Sequence, residues 1–97
     1  MIVVHDIFIC KPGNASKLAK LFKESMGSMQ ELDCIMTDMT GQFNKVVMVT
    51  KFQNLAAYEA SFSKYMEDSE EMRKMKEMMK GYMDMYLTGS REIFRIA

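Results

Sequence analysis

The sequence predicts a single α+β domain over residues 1–97, with a four-stranded antiparallel sheet that carries its helices on one face. Three observations lead there. Stretches rich in β-branched and apolar residues alternate with helical patterns in the order βαββαβ. The first of those stretches is apolar on both of its faces. And a long segment, Asn54 to Leu87, repeats its apolar positions at helical spacing, filled largely by methionine and tyrosine.

The first strand is expected over Ile2 to Cys10. Period-two alternation puts Val3, His5, Ile7 and Ile9 on one face and Ile2, Val4, Asp6, Phe8 and Cys10 on the other. A sheet with helices on one side leaves its other side wet, so an apolar second face points to a partner chain. Lys11-Pro12-Gly13-Asn14 breaks the strand, and Asn14 is placed to cap a helix by accepting from an otherwise unpaired amide. Ala15, Leu18, Leu21, Phe22, Met26 and Met29 form that helix's apolar stripe, and Gly27 weakens its last turn.

Asp33 to Thr40 reads as the second strand, and Gly41-Gln42-Phe43-Asn44 as the hairpin loop into a third, Lys45 to Phe52. Asn54 then caps a helix with Leu55, Tyr58, Phe62, Tyr65 and Met66 on one stripe. Asp68 followed by Glu71 has the layout of a capping box, which divides the segment into two helices. The second carries Met72, Met75, Met79, Tyr82, Met83 and Tyr86, with Glu70/Lys74 and Glu77/Lys80 as outward pairs, and is expected to run to Gly89. Ser90 to Ile96 alternates charged and apolar residues as a final strand. Two split βαβ halves of this order give the ferredoxin-like arrangement.

Composition excludes several classes of function. Thirteen basic and thirteen acidic residues cancel, so no global field recruits nucleic acid or an anionic membrane. The apolar run at Ile2–Cys10 contains His5 and Asp6 and is too short to span a bilayer, and it lacks the flanks of a signal peptide. Cys10 and Cys34 have no CxxC spacing, which predicts reduced thiols in a cytoplasmic protein and rules out a metallochaperone loop. The central strands lack the exposed aromatics and basic charge of an RNA-recognition domain. Met72/Met75 and Met79/Met83 have spacings that can present thioethers to copper(I), but no His or Cys joins them, and methionine at helical spacing is commonly pliable core. No metal and no cofactor are expected.

The apolar first strand ending in Lys11-Pro12-Gly13, the helix Lys17-Leu18-Ala19-Lys20-Leu21-Phe22 and the passage Val49-Thr50-Lys51-Phe52-Gln53-Asn54-Leu55-Ala56-Ala57-Tyr58 carry a resemblance. So does the break at Asp68-Ser69-Glu70-Glu71-Met72. With these, the chain resembles the dimeric α+β barrel superfamily, which contains antibiotic-biosynthesis monooxygenases and NIPSNAP-type domains. The resemblance implies a homodimer in which two sheets meet face to face, with an apolar small-molecule ligand in the cleft between each sheet and its own helices. Haem-degrading members of that group use a first-strand polar residue, a tryptophan and a histidine ligand. This chain has no tryptophan and its only histidine is His5, so that branch is excluded.

Two readings of function follow. In the first, the protein is a small-molecule-binding, cofactor-independent monooxygenase-like enzyme that oxidises an aromatic or polyketide-like substrate. His5 would be its catalytic base, with Tyr58, Phe62 and Tyr65 binding the substrate. In the second, the same fold is a non-catalytic module that binds a ligand or a partner protein. Asp6 and Asp38, unusual on strands, are expected to pair with Arg91, Arg95 or Lys51.

Overall fold

β-branched residues on a half-buried pleat, and apolar stripes at helical spacing, give the expected α+β order over Met1–Ala97 in a computed structural model. The elements are β1 (Ile2–Cys10), α1 (Ala15–Met26), β2 (Leu32–Thr37), β3 (Lys45–Phe52), α2 (Leu55–Tyr65), α3 (Glu70–Met78) and β4 (Tyr86–Arg95). A single 3₁₀ turn, Tyr82–Asp84, leads into β4. The sheet order is β2-β3-β1-β4, with β1 antiparallel to both β3 and β4. This is the ferredoxin-like arrangement.

Pairing fixes the faces of the sheet. Val4 lies opposite Thr50 and Ile93, Asp6 opposite Met48 and Arg91, and Phe8 opposite Val46 and Gly89. These residues face the helices. Two apolar clusters form there. One gathers Cys10, Val46 and Met48 with Leu18, Ala19 and Phe22 of α1. The other is Ile2, Val4 and Phe52, with Tyr58 of α2 packed on it. Phe22 and Leu18 are fully buried, each contributing about 1.5–3 kcal/mol by leaving water.

Several element ends differ from expectation. Asn14 stands at the N-cap of α1 without a side-chain cap, whereas Asn54 does accept from the Ala57 amide at 2.8 Å. β2 stops at Thr37 because Asp38 turns inward, its carboxylate accepting from the Lys45 amide at 2.9 Å. Asp38 therefore serves the hairpin backbone and pairs with no cation. The break after α2 is present, but Ser69 rather than Asp68 caps α3, accepting from the Met72 amide at 3.1 Å. Asp68 instead pairs with Arg73. α3 ends at Met78, well short of Gly89, because Gly81 takes a left-handed conformation at φ 86° and turns the chain. Gly89 lies inside β4. The pairs Glu70/Lys74 and Glu77/Lys80 do not form; the ion pairs present are Lys20–Glu24, Lys51–Asp33, Arg73–Asp68 and Arg91–Asp6.

The face of the sheet away from the helices has no cover within the chain. Val3, His5, Ile7 and Ile9 of β1 lie there beside Val47 and Val49 of β3, Met36 of β2 and Phe94 of β4. Alternation along strands of this length makes the face continuous.

Candidate functional site

Asp6 stands between the two clusters of the helix layer, a buried carboxylate in an otherwise apolar strand face. A buried charge needs a partner, and the antiparallel register supplies Arg91 directly across on β4. The Arg91 Nε–H donates to Asp6 Oδ1 at 2.5 Å. That hydrogen bond raises the Arg91 pKa, outweighing the lowering by burial, so the guanidinium stays charged.

α2 supplies the wall above. Its cap at Asn54 starts the helix directly after β3, which sets the Tyr58 ring edge-on against Phe52, centroids 5.2 Å apart. One turn on, Phe62 packs edge-on against Tyr58 at 5.0 Å. The Arg91 guanidinium lies over both rings, 5.8 Å from the Tyr58 centroid and 5.6 Å from that of Phe62. The Tyr58 hydroxyl is buried and has no hydrogen-bond partner. Burial pushes the phenol above its ordinary value, with Arg91 acting to lower it and Asp6 to raise it. Tyr58 is therefore a neutral O–H at physiological pH, a donor with nothing to donate to. α2 as a whole has no buried residue, and beyond it Ile93 of β4 is left partly open.

The four residues singled out from the sequence do not share one place. Tyr58 and Phe62 come together under Arg91. Tyr65, one turn further, is about two-fifths exposed and lies beneath the Lys76 ammonium of α3, 5.1 Å from its ring centroid. His5 lies on the opposite face of the sheet, between Val49 and Glu92 in register, with its ring edge-on to Phe94 at 5.4 Å. The expectation that His5 faces the cleft opposite Tyr58 is corrected: neighbouring strand residues point to opposite faces, and the one that looks at α2 is Asp6. The Asp6–Arg91 pairing expected from the sequence is present.

Other regions offer less. One open depression of about 370 Å³ lies at the end of the sheet beside the start of α2, lined by Lys51, Asp33, Glu31 and Phe52 among others, and contains none of His5, Tyr58, Phe62 or Tyr65. No three His, Cys, Asp or Glu side chains gather in a metal-binding group. Phe8, Phe22, Tyr82 and Tyr86 form a second aromatic group at the far end of the helix layer, where burial pushes the Tyr82 phenol up. No helix is long and apolar enough to cross a membrane.

The fold is shared with solved structures. It is similar to a NIPSNAP family protein from Agrobacterium tumefaciens, with a TM-score of 0.81 and 16% identity over 99% of this chain and 92% of that one. An uncharacterized NIPSNAP domain protein from Burkholderia xenovorans superposes with a TM-score of 0.78 and 14% identity, covering 100% of this chain and 95% of the other. An antibiotic biosynthesis monooxygenase superposes with a TM-score of 0.60 and 13% identity over 100% and 99% of the two chains. No curated protein matches the sequence. Residues 7–85 match the NIPSNAP family model, and the chain belongs to the NIPSNAP family.

Proposed function

We propose that this protein is a homodimeric small-molecule-binding protein of the cofactor-independent monooxygenase-like type. Its ligand lies between α2 and the sheet. The observation that carries the reading is the Tyr58 hydroxyl, buried and unpartnered beside the Asp6–Arg91 pair. A buried donor without an acceptor costs about 1–3 kcal/mol, and a ligand oxygen offsets that cost. Tyr58 and Phe62 supply an apolar wall for an aromatic or polyketide-like molecule, and Tyr65 stands one turn further along the same helix.

The homodimer is supported by the uncovered sheet face, where Val3, Ile7, Ile9, Val47 and Phe94 form an apolar surface that another copy would bury. His5 belongs to that surface, and its role in this reading is at the dimer interface. The cleft under α2 then holds no free base, because its one carboxylate, Asp6, is engaged by Arg91. A substrate oxidised there must arrive already ionised, or ionise beside the guanidinium, before its carbanion or phenolate passes an electron to oxygen. The free cysteines Cys10 and Cys34 suit a reducing, cytoplasmic setting.

The second reading, a binding module without turnover, is favoured by the same lack of a free base. Oxygen uptake with acidic phenols and 1,3-diketones, measured beside ligand-induced thermal stabilisation, separates the two. Uptake that requires intact Tyr58 supports the enzyme. Stabilisation without uptake leaves the binding module, and neither effect from any aromatic ligand refutes both.

A further inference from the structure

The surface where Arg91 of β4 meets Tyr58 and Phe62 of α2 has an ionic character that the chain as a whole lacks. The helix-facing side of β4 presents Arg91, Ile93 and Arg95 in alternation, against Asp6, Val4 and Ile2 of β1. Of these charges, Asp6 and Arg91 cancel, and Arg95 forms no ion pair, which leaves one net positive charge in a molecule of formal net charge zero. Arg91 meets Asp6 side-on, through Nε, and no other hydrogen bond is made by its guanidinium. Both terminal nitrogens are therefore unengaged. The Arg91 side chain is 48% exposed while its carboxylate partner is 12% exposed, so the guanidinium keeps an open side that Asp6 does not cover. Such a planar fork matches a carboxylate through two parallel hydrogen bonds.

Apolar surface lies beside it. Phe62 and Ile93 are both more than two-fifths exposed, and the Tyr58 ring stands between the Arg91 guanidinium and Phe52. The buried Tyr58 hydroxyl adds a second donor. Asp6 and Arg91 lie outside the stretch matched by the family model, so family membership does not speak to them.

We infer that this surface binds an amphipathic organic anion. Its carboxylate, or an equally acidic enolate or phenolate, sits on the terminal nitrogens of Arg91, and its aromatic or aliphatic body lies along Phe62 and Ile93. The inference rests on the reading of the α2 cleft as a ligand site and specifies the charge of what enters. Asp6 is the positioning residue: it holds Nε and so aims the fork. Arg95 adds long-range attraction at the rim, which salt screens.

The test compares acids with their neutral amides at equal shape: 2-naphthoate against 2-naphthamide, and decanoate against decanamide, by isothermal titration with the full-length protein. The wild type is expected to bind each acid at least tenfold more tightly than its amide. Arg91→Gln should bring the two within about threefold, the loss of a charge-assisted hydrogen bond. Because Arg91→Gln strands a buried carboxylate, the double variant Asp6→Asn/Arg91→Gln, which removes both charges, is measured with it, and far-ultraviolet circular dichroism confirms folding. Acid preference retained in the folded double variant overturns Arg91 as the anchor. Amides that bind the wild type as tightly as acids overturn the anion inference while leaving the cleft a ligand site. No binding of any of the four to folded wild type at millimolar concentration overturns both.

Discussion

Replacing Tyr58 with phenylalanine should make the free protein more stable and its ligand complex weaker. The substitution deletes one oxygen and keeps the ring, so the edge-on contacts with Phe52 and Phe62 and the stacking under Arg91 persist. What disappears is a buried hydroxyl without a partner. Leaving such a group unsatisfied costs about 1–3 kcal/mol, and the low end applies here because the residue as a whole is only half-buried. A gain of about 1 kcal/mol corresponds to a rise in Tm of about 4–8 °C for a chain of this size. Urea unfolding at pH 7 should show a higher midpoint with an unchanged m-value. In the complex the sign reverses, since a lost neutral hydrogen bond weakens binding by about 2–12-fold. A Tyr58→Phe protein less stable than wild type by 0.5 kcal/mol or more would mean that the hydroxyl already has a partner in solution, and the argument for a ligand oxygen beside it would fail.

Other consequences are open to direct measurement. Gly81→Ala places a side chain at φ 86°, where nothing crowds it but the backbone is unfavourable, and should cost about 1–2 kcal/mol in urea unfolding. Ile7→Glu puts a charge at the centre of the uncovered sheet face, between Val47 and Ser90, and should abolish the proposed dimer, leaving a monomeric mass by light scattering where the wild type gives a dimeric one. Stability should fall as pH rises from about 9: Cys10, Cys34, Tyr58 and Tyr82 all have pKa values raised by burial, from 9.0 for the thiols and 10.0 for the phenols. Between its unfolded and folded pKa each group binds more protons in the folded chain, so alkali favours unfolding there. Tyr82→Phe should make that decline shallower, and an unchanged slope would refute the assignment for Tyr82.

The order of elements is legible because period two and period 3.6 are both clean in this chain, and the paired Asp6 is legible because a carboxylate amid Val4 and Phe8 needs a cation. The direction of β1's faces is not. Both sets of alternating residues are apolar, so the pattern does not distinguish His5 from Asp6 as the residue under α2, and a single step along a strand exchanges them. The packing of Tyr58 on Ile2 and Val4, which share a face with Asp6, decides it. The end of α3 fails for a similar reason. Tyr82 and Tyr86 keep helical spacing past the point where Gly81 stops the helix, because the 3₁₀ turn and the start of β4 also need apolar residues against Phe22 and Phe8. Ser69 and Asp68 are both good caps, and the choice between them depends on geometry that composition does not carry.

β1 is one of the two central strands of the sheet, and both of its neighbours come from far along the chain. The Asp6–Arg91 pair joins residues 85 positions apart. A folding chain must therefore carry an apolar strand, sticky on both faces, until β3 and then β4 dock on it, and contacts of such long separation form late. The Asp6–Arg91 pair is completed only by that last docking, so the number of ligand sites titrated per chain also reports how much of a preparation has finished folding.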